Sequence, residues 1–170
     1  VYAFFMVKVD TARTGDYFFT LISPSSTTFY DGRVQVRSIS GNGNLNFGIT
    51  KGNASTDTSV AGIWTTGNYS VGITYLIVLK YTFIPGGNTN DQVSLFVFSG
   101  AIPLTEPVPT LGPVTFPSID AISVGRVALR QGTNTRAPNL KIDGIQIGRT
   151  WESVINPNAQ NVSVSPNNVM

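Results

Sequence analysis

Short apolar runs rich in Val, Ile, Phe and Tyr, cut at intervals by Gly, Asn and Pro clusters, constrain this chain more than any other feature. Branched and aromatic side chains pack well on a pleated surface and crowd a helix, so such runs favour strands. Val1–Val9 is apolar and broken only by Lys8. Asp16–Ile22 carries Tyr17, Phe18, Phe19, Leu21 and Ile22 almost without interruption, the pattern of a strand covered on both faces. Arg33–Ile39 alternates: Val34 and Val36 face one way, and Arg33, Gln35 and Arg37 face the other. Leu45, Phe47 and Ile49 repeat at the same period. Between these runs, Ser40-Gly-Asn-Gly-Asn44 supplies residues that tolerate positive φ, so the pair reads as an antiparallel hairpin.

The rest of the chain follows the same plan. Lys51–Ala61 is polar and reads as a loop. Tyr69–Phe83 is a long apolar stretch whose β-branched and aromatic content argues for strand over helix. Across the turn Pro85-Gly-Gly-Asn-Thr-Asn-Asp91, Leu76–Phe83 forms a second hairpin with Gln92–Phe98. Five prolines between Gly100 and Pro117 exclude that segment from a central ladder and make it a surface crossover. Ala121–Arg130 and Leu140–Ile147 read as two more strands, and a one-residue slip of apolar phase at Asp143-Gly144 marks a bulge. Thr150 is placed to cap one helical turn carrying Trp151, Val154 and Ile155. Residues 156–170 form an Asn- and Pro-rich tail, within which Asn161-Val-Ser-Val-Ser165 alternates like an edge strand. About eight strands and almost no helix predict an all-β chain: an antiparallel two-sheet β-sandwich of jelly-roll type, one domain over residues 1–155.

Composition narrows the function. The 170 residues include no histidine and no cysteine. That removes a Ser-His-Asp triad, a His base or ligand, a thiol nucleophile and Cys-held metal. Eleven Lys and Arg against nine Asp and Glu give a net charge of +2, and the bases are scattered. A nucleic-acid partner needs a concentrated basic stripe, so none is expected. No apolar run approaches the roughly 20 residues of a membrane span. A retaining glycosidase needs two carboxylates about 5 Å apart, and no acidic pair here has the close spacing on one strand face that would supply them. A non-enzymatic binding or structural domain is the expectation.

Five residues are candidate site residues. Trp64, Tyr69 and Tyr30 are large amphipathic rings near expected loops, and a sugar's C–H face packs on such rings. Trp64 stands in a polar segment, which favours exposure, whereas Trp151 fits the buried side of the capped turn. Arg33 and Arg37 project from one strand face and can meet an acidic glycan. Asp91, after Asn88-Thr-Asn90, and Asp143, before Gly144, are candidate calcium ligands, because calcium gathers carboxylate, amide and carbonyl oxygens. The commoner use of such residues is turn hydrogen bonding.

Several blocks together resemble a known family: Tyr17-Phe-Phe19, Arg33-Val-Gln-Val-Arg37, Asn46-Phe-Gly-Ile-Thr-Lys51, Thr74–Phe83, Asn90–Leu95, and Ile142-Asp-Gly-Ile-Gln-Ile-Gly148 with Trp151 behind. They are similar to the LamG-like, concanavalin A-like jelly-roll domains of large exported bacterial proteins of the Bacteroidetes type. The resemblance implies a secreted or cell-surface accessory module that binds a glycan or another surface component, often near calcium. It also implies strands upstream of Val1–Val9, so that either the sequence is trimmed there or a sheet edge is left open. Self-association follows as an alternative expectation, with the Asn161–Ser165 tail of one subunit filling the Val1–Val9 edge of the next in an extracellular filament or surface layer. A polysaccharide-active enzyme of the same fold, using Tyr and Arg or Lys in place of His, is the third reading.

Overall fold

The computed structural model describes residues 1–26, 28–39, 43–52, 62–67 and 69–156. Two antiparallel sheets pack face to face. The first contains β1 (Tyr2–Thr11), β7 (Thr74–Thr82), β8 (Gln92–Phe98), β9 (Leu111–Val114) and β11 (Asn139–Gly148), in the order β11-β1-β7-β8-β9. The second contains β2 (Asp16–Ile22), β3 (Tyr30–Ile39), β4 (Asn44–Thr50), β5 (Ile63–Trp64), β6 (Tyr69–Ser70) and β10 (Arg126–Leu129), in the order β10-β2-β3-β4-β5, with β6 also paired to β4. The all-β sandwich expected from the sequence is the fold.

Alternation builds the core. Ala3, Phe5, Val7 and Val9 of β1 lie beside Ile77 and Leu79 of β7 and Val93 and Leu95 of β8 on the inner face of the first sheet, and this face shares one core with Val34, Val36, Leu45, Phe47 and Ile49 of β3 and β4. β2 departs from strict alternation. Its register against β3 slips between Tyr17 and Phe19, so Phe18 and Phe19 both enter the core. There Phe19 stacks on Phe5 at 4.3 Å and Phe18 meets it edge-on at 6.1 Å. This bulge explains the nearly continuous apolar run. The hairpins β3–β4 and β7–β8 have the registers the alternation implies, with Val36 opposite Phe47 and Leu79 opposite Leu95.

The first sheet has a second apolar layer on its outer side. Tyr2, Val78 and Phe96 pack there beneath Trp151 and Val154 of α1 (Trp151–Ile155). Thr150 caps α1 through a reciprocal pair with Ser153, as its position suggested. The bulge expected near Asp143-Gly144 is present: Phe4 pairs with Gln146 and Met6 with Asp143, and Gly144 has φ +64°.

Four expectations need correction. The Val1–Val9 edge is not open. β1 is flanked by β7 on one side and by β11 on the other, with Tyr2 opposite Gly148. The cover comes from more than a hundred residues away, a distance at which local pattern carries no pairing information. Tyr69–Phe83 is not one strand: a turn at Val71-Gly72, with Gly72 at φ +79°, divides β6 from β7. Of Ala121–Arg130 only Arg126–Leu129 joins a sheet. The Pro-rich crossover contributes β9, but at a sheet edge, where a proline such as Pro113 is tolerated. Residues 40–42, most of the Lys51–Ala61 loop and the Asn161–Ser165 tail lie outside the described residues. No helix among the described residues is long and apolar enough to cross a membrane.

Candidate functional site

The outer face of the second sheet carries the polar half of the alternation. Val34 and Val36 point inward, so Arg33, Gln35 and Arg37 point outward. On the neighbouring strands, Tyr17 stands opposite Gln35, and Asn46, Gly48 and Thr50 stand opposite Arg37, Gln35 and Arg33. Trp64 pairs with Gly48 across β4–β5 and lies against it. A Cβ at position 48 would come within 2.6 Å of the Trp64 ring, so a glycine is what admits the indole onto the sheet.

Guanidinium groups line this face. Arg37 sits 4.3 Å from the Trp64 ring centre. The Tyr17 ring has Arg130 at 4.3 Å and Arg33 at 4.8 Å. Tyr30 lies 5.9 Å from Tyr17, with Arg33 at 6.0 Å. Each contact places a cation against a ring's negative face. Asp16 holds Arg130 at 2.7 Å. Among the described residues no carboxylate pairs with Arg37. Burial pushes the Tyr17 phenol up from its ordinary value, against the opposing pull of Arg130 and Arg33, so the ring remains neutral beside the cations. The middle of the face is closed, because Arg33 and Gln35 are buried. Tyr17, Tyr30, Arg37 and Trp64 keep partial exposure around it.

Trp64 and Tyr30 therefore share this face, together with both arginines singled out in the sequence. Tyr69 does not. It stands opposite Leu45 and turns inward, 5.2 Å from both Phe47 and Tyr75, where burial raises its phenol pKa. A joint platform of Trp64 and Tyr69 is thus excluded by the pleat, which sends them to opposite sides of one sheet. Trp64 is also only partly exposed, contrary to the expectation from its polar neighbourhood. Sequence reasoning missed Tyr17 and Arg130. Tyr17 was hidden inside a run that read as all core, and Arg130 reaches the face only through the β10–β2 pairing.

The two acids considered for calcium lie apart. Asp91 is buried beside the β7–β8 turn and accepts the Ile84 N–H at 2.7 Å. Asp120 beside it accepts the N–H groups of Asn90 and Asp91 and binds the Lys51 ammonium at 2.5 Å, so a lysine already supplies a cation there. Asp143 is exposed on β11 and accepts its neighbour Gly144's N–H. Among the described residues no three His, Cys, Asp or Glu side chains are placed to hold a metal. Glu106, on the Pro-rich crossover, accepts from Tyr2 at 2.6 Å and Lys80 at 2.7 Å. Burial works to raise its pKa, but these two donors outweigh it and hold the carboxyl below its ordinary value.

No family model, curated protein or solved structure matches the chain.

Proposed function

We propose that this chain is a non-catalytic, extracellular binding module of the LamG-like kind, whose outer second-sheet face takes a glycan bearing carboxylate or sulfate groups. One observation carries the reading. The Arg37 guanidinium is held against the Trp64 ring, partly exposed, with no carboxylate partner among the described residues. A planar, pre-oriented guanidinium offers paired N–H donors that match a carboxylate or sulfate. The flanking ring of Tyr30 supplies apolar surface on which a sugar's C–H face packs.

The test is a binding assay against panels of neutral and acidic polysaccharides. Binding to acidic members is expected, weakening with salt. Arg37→Gln is expected to lose about tenfold in affinity, equivalent to about 1.4 kcal/mol. Trp64→Ala is expected to weaken binding similarly, because the guanidinium loses its backing. Absence of binding to every glycan, or an Arg37→Gln protein that binds like the parent, would overturn the proposal.

A further inference from the structure

Two dipeptides in the chain join an aspartate to a glycine: Asp31-Gly32 and Asp143-Gly144. In such a pair the glycine nitrogen has no side chain beside it to block its approach to the preceding carboxyl carbon. Both glycines sit at register slips and have positive φ, +60° at Gly32 and +64° at Gly144. What separates them is where the nitrogen points and how far water reaches. Gly32 commits its N–H to the Lys51 carbonyl at 2.5 Å, and Asp31 is only 5% exposed. Gly144 directs its N–H to Asp143's own Oδ1 at 2.7 Å. Asp143 is exposed, and among the described residues no cation draws its carboxyl into an ion pair. Asp16 makes the same local bond, to the Tyr17 N–H at 2.9 Å, but it is buried, tied to Arg130 and followed by a bulky ring.

We propose that Asp143-Gly144 is a site of spontaneous covalent rearrangement, at which the folded chain converts Asp143 to isoaspartate through a cyclic imide. The Gly144 nitrogen attacks the Asp143 carboxyl carbon. A C–N bond forms, and the carboxyl hydroxyl leaves with the amide proton as one water. Water then opens the imide at either carbonyl. Opening at the side-chain carbonyl restores aspartate. Opening at the peptide carbonyl leaves the main chain running through the Asp143 Cβ, with a free carboxylate on Cα. Holding the nitrogen against the carboxyl supplies the proximity that a flexible chain must find by chance. The product has one more carbon in the backbone of β11, at the point where its register with β1 already slips, so the bulge absorbs the change.

The matched Asp31-Gly32 pair makes the test internal. The full chain is incubated in mildly acidic water enriched in heavy oxygen, once folded and once in urea. It is then digested in ordinary water and mapped by mass spectrometry. Reopening the imide incorporates one heavy oxygen whichever carbonyl is attacked, and isoaspartate peptides separate from aspartate peptides on elution. In the folded protein, label and isoaspartate are expected at Asp143 several-fold above Asp31. In urea, which removes the difference in geometry and burial, the two sites are expected to become equal. Equal labelling in the folded protein, no label at Asp143, or a preference for Asp143 that persists unchanged in urea would overturn the proposal. Asp143→Glu, which needs a larger ring, is expected to keep the fold and lose the label from this peptide. Label that remains there in Asp143→Glu comes from another residue and counts against the assignment.

Discussion

Lys51 has no exposed surface, and its ammonium ends 2.5 Å from Asp120. Asp120 in turn takes the backbone N–H groups of Asn90 and Asp91, so one ion pair ties the end of β4 to the β7–β8 turn. Removing the cation alone leaves a buried carboxylate without its counter-charge. Lys51→Ala is expected to cost about 3–5 kcal/mol, read as a fall in the urea midpoint at constant slope. Asp31 behaves differently. Burial raises its carboxyl from 3.8 to about 6, despite Arg33 and Lys51 nearby. The folded state therefore holds the proton more tightly than the unfolded one. Asp31's contribution is most favourable below pH 3.8 and declines as pH rises through 6, by up to about 3 kcal/mol. Asp31→Asn is expected to flatten that decline relative to the parent. Urea unfolding of both proteins across pH 4 to 7 checks it, and equal slopes would refute the assignment.

At the scale of elements, α1 shows how little helix the sandwich needs. Five residues close the outer side of the first sheet, because Trp151 contacts Tyr2, Phe96 and Phe98 and donates its indole N–H to the Pro103 carbonyl at 2.9 Å. Trp151→Ala is expected to destabilise by about 3–5 kcal/mol, and Thr150→Ala, which removes only the cap, by about 1 kcal/mol. Urea denaturation should separate the two. β5 is shorter still, two residues, yet it seats Trp64 on the second sheet. Gly48→Ala puts a Cβ into the Trp64 ring, so it is expected to displace the indole, shift tryptophan fluorescence and weaken glycan binding together. A shift in fluorescence with unaltered binding would separate Trp64 from the proposed site.

At the scale of the whole molecule, the first sheet is closed by a pairing between the beginning of the described chain and its far end, Tyr2 opposite Gly148. Pairing over that separation costs loop-closure entropy before any contact repays it, so folding is expected on the millisecond-to-second scale of sandwiches. Native-state hydrogen exchange should rank the strands. Amides of β3 and β7, each paired on both sides within its sheet, are expected to exchange only through global unfolding, and those of the two-residue β5 and β6 through local opening.

Period-two alternation and turn chemistry were sufficient in the sequence to place both hairpins, to assign Val34 and Val36 to one face and Arg33 and Arg37 to the other, and to set the cap at Thr150. Those features depend on the geometry of a few consecutive residues, and local chemistry determines that geometry. Three-dimensional pairing alone decided the rest. It covered β1 with β11, buried Tyr69 on the inner side while Trp64 stayed outside, and brought Arg130 to Tyr17 through β10. Each of these depends on which distant strand lies alongside, a choice made by packing the whole apolar interior at once and not by any segment's own preference.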